Sequence, residues 1–268
     1  MSDPLSTVLG VFDSGVGGLS VLRELRVLLP HENIVYVADS AYVPYGTKPP
    51  ALIRDRSMAI VRFLVEKRHA RAVVVACNTA TTHAVDLLRR NFASVPFVGM
   101  EPAIKPAAAA TRSRVVGVLA TDATLDGERF ASLMRRHAVG IEVLTQSCPG
   151  LVEQVEAGDL SGPRTIDLLQ RFTAPLIARG ADTIVLGCTH YPFLKEPLQG
   201  LVGPSVTLID AAGAVARQTE RVLAEGDRGA SGSVGRVVFF TSGDPSVVRR
   251  SLERLWGEPV LEVNRLEV

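Results

Sequence analysis

Cysteine is scarce and odd in number, with three residues in a chain of 268. That excludes a disulfide scaffold, and a reducing cytoplasm is the expected compartment. The cysteines form no Cys-x-x-Cys pair and no tight His/Cys group accompanies them, so a metal site is not expected. An excess of either charge is also missing. The chain carries 29 basic and 28 acidic side chains, a net charge of +1, which provides no global field for gripping nucleic acid or an anionic membrane. No run approaches the roughly 18 consecutive apolar residues that would read as a membrane span. Residues 1–7 have neither a basic start nor an apolar stretch, so no secretory signal is expected. Lysine is confined to Lys48, Lys67, Lys105 and Lys195. None stands in a recognisable cofactor-binding context, so a pyridoxal-phosphate Schiff base is not suggested.

What the chain does have is apolar material. Hydrophobic residues make up 47%, enough for a sizeable core and too much for wholesale disorder. At about 150 residues per domain the length suggests two domains. Short Val- and Ile-rich runs at 8–12, 34–38, 72–76, 95–99, 115–119, 141–145, 183–187, 206–210 and 237–241 read as strands. Between them lie amphipathic stretches such as 20–29 and 54–67, whose apolar positions fall three and four apart. Alternation of near-continuous apolar strands with helices predicts an α/β protein with mainly parallel sheets covered on both faces. The Gly- and Ser-rich stretch 226–235 reads as a flexible surface connection.

The chain also repeats itself. Val8-Leu9-Gly10-Val11-Phe12-Asp13-Ser14 aligns with Val115-Val116-Gly117-Val118-Leu119-Ala120-Thr121, and the same offset puts Ile34 on Ile141. A second alignment puts Cys77-Asn78-Thr79 on Cys188-Thr189-His190 and superposes 95–98 on 206–209. Any two α/β halves look somewhat alike, but a duplication accounts for the matching sulfurs. It predicts two similar open lobes, each with a Cys at the C-terminal end of a strand, where ligands of open α/β sheets bind. The first lobe is expected to comprise 1–98 plus 206–268, and the second 99–205. The tail is expected to return to the first lobe as strand, helix (Pro245–Trp256) and strand.

Cys77 and Cys188 are the leading candidates for chemistry. Each ends an apolar run and precedes residues that cap or open helices: Asn78 and Thr79 after the first, Thr189, His190 and Pro192 after the second. A thiol near a helix N-terminus is a plausible proton-transfer group, although a Cys at a strand end is often only a small buried hydrophobe. Cys148, in a turn-like stretch with no counterpart in the repeat, reads as packing. Phe12-Asp13-Ser14-Gly15-Val16-Gly17-Gly18 puts a carboxylate and a Gly-rich turn after a strand. Ser20 stands where a dinucleotide loop needs its third Gly, and the end of a P-loop is missing. An aspartic-protease reading lacks a second Asp-Ser-Gly. What remains is a turn whose bare amides could hold a small carboxylate ligand. The loop 39–46, with Tyr45 and Gly46, follows the second strand. Glu153 follows Cys148-Pro149-Gly150, and His190 stands two residues beyond Cys188 and titrates in the useful range.

Taken together, Gly10 through Leu19, Pro44-Tyr45-Gly46, Ala76-Cys77-Asn78-Thr79-Ala80 and Leu186-Gly187-Cys188-Thr189-His190-Tyr191-Pro192 resemble the motifs of bacterial glutamate racemases, in the cofactor-independent aspartate/glutamate racemase superfamily. The resemblance runs over nearly the whole chain. His190 after the second Cys-Thr favours glutamate over aspartate racemases, in which an acidic residue usually stands there. The resemblance implies an isomerase of L- and D-glutamate that needs no cofactor, works in a cleft between the lobes, forms a homodimer and supplies D-glutamate for peptidoglycan. It implies Cys77 as the base for D-glutamate and Cys188 as the base for L-glutamate. Asp13 would assist Cys77, His190 would assist Cys188, and Glu153 would lend support. Asp13, Ser14, Tyr45, Gly46, Asn78, Thr79, Thr121, Thr189 and His190 would form the substrate pocket. The alternatives are a racemase of another acidic amino acid such as aspartate, and a two-lobed small-molecule binding protein without turnover.

Overall fold

Strand β1 (Val8–Asp13) is buried along its entire length, which requires cover on both faces of its sheet. The computed structural model of the chain describes residues 8–226, 232–258, 260 and 262–268. The N-terminal stretch 1–7 and much of the expected connection 226–235 lie outside the described residues.

After β1 come α1 (Leu19–Leu28), β2 (Ile34–Ala38), α2 (Pro50–Arg62), β3 (Ala70–Val75), α3 (Asn78–Asn91), β4 (Phe97–Gly99) and α4 (Ile104–Ala110). The second set begins with β5 (Val115–Ala120) and continues through α5 (Asp122–Leu125), α6 (Glu128–His137), β6 (Glu142–Ser147), α7 (Leu151–Glu156) and α8 (Pro163–Ala178). It ends with β7 (Thr183–Leu186), α9 (Lys195–Val202) and β8 (Thr207–Ile209). Then come α10 (Ala212–Glu225), β9 (Val237–Thr241), α11 (Pro245–Trp256) and β10 (Val263–Arg265), the last strand among the described residues. Each expected strand is present, with ends displaced by a few residues. No helix among the described residues is long and apolar enough to cross a membrane.

The strands form two sheets. One has the order β10-β9-β2-β1-β3-β4 and the other β6-β5-β7-β8, and every pairing is parallel. The block β2-β1-β3-β4 thus has its counterpart in β6-β5-β7-β8. The registers correspond as well. Gly10 pairs with Val73 and Val73 with Phe97; in the second sheet Gly117 pairs with Ile184 and Ile184 with Leu208. These are the partners that the two sequence alignments superpose. The glycines also correspond in packing: a Cβ on Gly10 would press on Leu64, and one on Gly117 on Leu176. In both sheets a missing side chain lets a leucine from a covering helix sit against the central strand.

One boundary differs from expectation. A cut between 205 and 206 assigns β8 to the first lobe, but β8 hydrogen-bonds to β7 and closes the second sheet. The tail beyond it does return, since β9 pairs with β2 and β10 with β9.

Alternation along the strands of the first sheet sorts side chains into two layers. Val8, Phe12, Val35, Val37, Val73 and Val75 pack under α2 and α3. Leu9, Val11, Tyr36 and Val74 face the other way, into a core continuous with Val116, Val118, Ile184 and Leu186 of the second sheet. The two sheets therefore share one apolar core, and their C-terminal strand ends meet across it.

Candidate active site

Four central strands deliver the candidate residues. Asp13 ends β1, Cys77 stands two residues after β3, Thr121 follows β5, and Cys188 stands two residues after β7. A narrow cavity of about 10 Å³ lies between these ends. Its walls include Ser14, Tyr45, Gly46, Asn78, Thr79 and Cys77 from the first lobe, and Thr121, Cys188, Thr189 and His190 from the second. Of the residues expected from sequence to touch substrate, only Asp13 stands behind the wall rather than in it.

Cys77 is the N-cap of α3, in extended conformation, and its Sγ accepts the Ala80 amide at 3.4 Å. The thiol points at Ser14 Oγ, 3.9 Å away. Burial pushes the Cys77 pKa well up and the nearby Asp13 carboxylate adds to this, while the Ala80 amide pulls the other way. The helix N-terminus is present as expected, but burial and Asp13 outweigh it, and Cys77 rests as the thiol. Cys188 is placed differently. Its strand runs into a 3₁₀ turn (Tyr191–Leu194) containing Pro192, and α9 starts only after it. Its Sγ lies 3.7 Å from His190 Nδ1.

His190 is the most densely connected residue of the site. Its Nε2 donates to Glu156 Oε1 at 2.7 Å, and its Nδ1 faces both Cys188 Sγ and Thr189 Oγ1. Burial alone would push its pKa down. The hydrogen bonds to Cys188 and Glu156 outweigh burial and hold His190 well above its ordinary value. The charged imidazolium has two N–H donors, and both have acceptors here.

Glu156 was not anticipated. Glu153 and Glu156 fall three apart on α7, so helical spacing gives both the same face and cannot choose between them. In the structure Glu153 is exposed and lines a second hollow beside the mouth of the site. Glu156 reaches inward to His190 and accepts the Val16 amide at 2.8 Å. The carboxylate on His190 is therefore Glu156, nearly a full turn beyond the residue the sequence pointed to.

The Gly-rich turn also departs from expectation. Its amides are not bare: Asp13 Oδ2 accepts from Gly18 at 2.9 Å and from Gly15 at 3.3 Å, and Glu156 holds Val16. The protein's own carboxylates fill the anion-binding turn. The turn is built for close approach, since a Cβ on Gly17 would overlap the His190 ring and one on Gly15 the Glu156 carboxylate. Asp13 Oδ1 in addition accepts from Thr189 Oγ1 at 3.4 Å. Burial raises the Asp13 pKa, and His190 partly opposes that rise.

Polar wall groups face the cavity with capacity to spare. Asn78 is buried, and neither its Oδ1 nor its Nδ2 has a hydrogen-bond partner. Such a group implies a ligand or water. Thr79 Oγ1 lies 3.0 Å from Thr121 Oγ1 and 3.3 Å from Thr124 Oγ1, so hydroxyls from the two lobes meet at the rim. The Tyr45 loop closes over this point. Tyr45 donates to Asp39 Oδ2 at 2.6 Å, and Arg56 clamps the same carboxylate through Nε and Nη2. A Cβ on Gly46 would come 2.7 Å from Thr121 Cβ. Cys148 is buried under Tyr191, and burial first, then Cys188, raises its pKa beyond the usable range. Among the described residues no group of three or more His, Cys, Asp or Glu side chains is gathered to hold a metal ion.

Two parallel-sheet lobes facing each other across a pair of thiols define a class. The family model for Asp/Glu/hydantoin racemases matches residues 19–219, and the chain belongs to that family, whose members are racemases by name. Among its relatives is the glutamate racemase of Pseudomonas aeruginosa, 54% identical over 254 residues that span 95% of this chain and 96% of the relative. The glutamate racemase of Pseudomonas putida is 53% identical over 94% of both chains. Solved structures agree. A glutamate racemase isoform from Bacillus anthracis superposes with a TM-score of 0.88 at 30% identity, covering 98% of both chains. Escherichia coli glutamate racemase, in complex with L-glutamate and the activator UDP-MurNAc-ala, superposes with a TM-score of 0.85 at 34% identity, over 97% of this chain and 98% of that one.

Proposed function

We propose that this protein interconverts L- and D-glutamate by passing the α-proton between two thiols without a cofactor. The observation that carries the reading is that Cys77 and Cys188 line one cavity from opposite lobes and differ in their surroundings. Cys77 is held as a thiol by burial and Asp13. Cys188 instead faces the His190 ring, its Sγ 3.7 Å from Nδ1.

In the L-to-D direction the Cys188 thiolate takes the α-proton from L-glutamate and becomes a thiol. The electron pair left on the α-carbon delocalises into the substrate carboxylate as an enediolate-like anion. The Cys77 thiol gives its proton to the opposite face, leaving D-glutamate and a Cys77 thiolate. Neither sulfur is oxidised, and the reverse direction runs through the same species. His190 supports the Cys188 thiolate, and Glu156 keeps His190 charged. Asp13, hydrogen-bonded to the Gly-rich turn, opposes ionisation of Cys77 and returns it to the thiol.

The difficult part is the weak acidity of the α-hydrogen. Asn78, with its amide unpartnered, and the hydroxyls of Ser14, Thr79, Thr121 and Thr189 supply neutral donors for the substrate carboxylates. A preorganised donor of this kind contributes about 3–4 kcal/mol in other acyl-type sites. The lobes part to admit glutamate, since the cavity between them is only about 10 Å³, and on closing they exclude water and hold the α-carbon between the sulfurs. Glu153, at the mouth, is placed to influence entry rather than the chemistry. The wider role follows from the same reading: a cytoplasmic homodimer that supplies D-glutamate for peptidoglycan.

The test is incubation of the purified protein with L-glutamate, without added cofactor, followed by chiral chromatography, with L-aspartate in parallel. D-Glutamate accumulates toward an equal mixture and aspartate stays unchanged. Glutamate of unaltered chirality would sink the assignment, and turnover of aspartate alone would move it to that substrate.

A further inference from the structure

The last turn of α7 is fastened from outside its own lobe. The helix has six residues; the Gln154 and Val155 carbonyls accept from the Asp159 and Gly158 amides just beyond it, and the carbonyls after them need donors from elsewhere. Two are met by α11, which belongs to the segment that returns to the first sheet. Ser251 Oγ donates to the Glu156 carbonyl oxygen at 2.8 Å, and Arg254 Nη1 to the Ala157 carbonyl oxygen at 3.3 Å. Gly158 follows with φ +74, and a Cβ there would come 2.6 Å from Arg254 Nη1. From behind, Arg23 of α1 donates to the Leu255 and Trp256 carbonyls at the end of α11.

The other end of α7 is set by Gly150 and by the buried Leu151, Val152 and Val155. Those contacts fix the helix but not its last residue. That residue is Glu156, whose Oε1 accepts from both His190 Nε2 and the Val16 amide. A carboxylate serving two donors at 2.7 and 2.8 Å tolerates little movement of its own main chain. We propose that Ser251 is a positioning residue for the Cys188 half of the reaction, holding the backbone of Glu156 so that its carboxylate orients His190. The inference rests on the two-thiol reading above.

The expected effects follow from which proton transfer is slowed. In Ser251→Ala, kcat falls about fivefold, the loss of one ordinary hydrogen bond, with KM little changed because no substrate contact is lost. The Cys188 step becomes more rate-limiting. The primary isotope effect measured with α-deuterated L-glutamate therefore rises, and that with α-deuterated D-glutamate falls. Ser251→Thr keeps the hydroxyl and restores both values. A merely structural role would lower the amount of active enzyme and leave both isotope effects unchanged. Unchanged isotope effects in Ser251→Ala, or a Thr variant as impaired as the Ala variant, would overturn the proposal. If Ser251→Ala does not fold, Arg254→Met removes the neighbouring donor and is read by the same pair of isotope effects. Wild-type protein inert toward glutamate would remove the parent reading. An active wild type with a Ser251→Ala variant indistinguishable from it removes only this inference.

Discussion

Glu156 Oε1 stands 2.7 Å from His190 Nε2 and 2.8 Å from the Val16 amide nitrogen, so one carboxylate oxygen joins α7, the Gly-rich turn and the imidazole beside Cys188. Replacing Glu156 by Gln keeps the shape and removes the charge. The upward push on His190 weakens while the downward push of burial remains, so the imidazole titrates at a lower pH. Racemisation falls roughly a hundredfold, the low end of general acid–base contributions. Glu153→Gln, on the exposed face of the same helix, changes turnover little. Titration of the His190 ring by NMR, with kcat for both variants, checks the pair; equal losses in the two variants would overturn the placement.

The same pair makes stability depend on pH. The His190 pKa is raised in the folded chain above its ordinary value of 6.5. A raised folded value means stabilisation that is fully present below the unfolded pKa and is lost as pH rises through the folded one. The difference in unfolding free energy between wild type and Glu156→Gln is therefore largest near pH 6 and shrinks toward alkaline pH. Breaking one partner of a buried pair costs about 3–5 kcal/mol, an upper bound here because the Gln side chain retains hydrogen bonds. Urea melts of both proteins at several pH values read the trend, and a difference that grows with pH would contradict it.

The two sulfurs call for a test that separates chemistry from folding. Cys77→Ser and Cys188→Ser each remove racemisation, because an alcohol is far too weak an acid to take over either role, while a smaller, similar atom keeps the fold. Circular dichroism of glutamate follows the first effect, and far-ultraviolet dichroism of the protein the second. In heavy water the wild-type product acquires deuterium at the α-carbon before unreacted substrate does, since the proton delivered comes from the second thiol. Early labelling of substrate and product at equal rates would indicate a single base.

Much of this architecture could be read from the chain, because burial on both faces writes itself into long apolar strands. The offsets that put Cys77 on Cys188 and Gly10 on Gly117 reappear as matching registers. Local pattern does not encode which of two helical carboxylates turns inward. Glu153 and Glu156 share a face, and the choice is made by the positive φ of Gly150 and by the reach to Val16, both set by tertiary packing. The occupied amides of the Gly-rich turn were hidden for the same reason, since Val16 receives its carboxylate from a residue 140 positions away. Helix caps were only half informative. Asn78 and Thr79 do open α3, but Thr189 and Pro192 open a 3₁₀ turn, because Tyr191 folds back to donate to the Cys188 carbonyl.

Gly17 provides a test of how closely the turn and His190 must approach. A Cβ there would overlap the imidazole, whose Nε2 is tied to Glu156 Oε1 at 2.7 Å. Gly17→Ala therefore displaces the ring from Cys188. A displacement of about 1 Å costs on the order of a hundredfold in rate, so kcat/KM falls by about that factor. Gly200, exposed on α9 with nothing within 4 Å of a built Cβ, is the matched control. There Ala lowers the conformational freedom of the unfolded chain and raises helix propensity, stabilising by about 0.5–1 kcal/mol with turnover unchanged. Melting temperature and racemisation measured on both variants distinguish the two cases. A Gly17→Ala protein as active as Gly200→Ala would mean that His190 need not sit where this turn holds it.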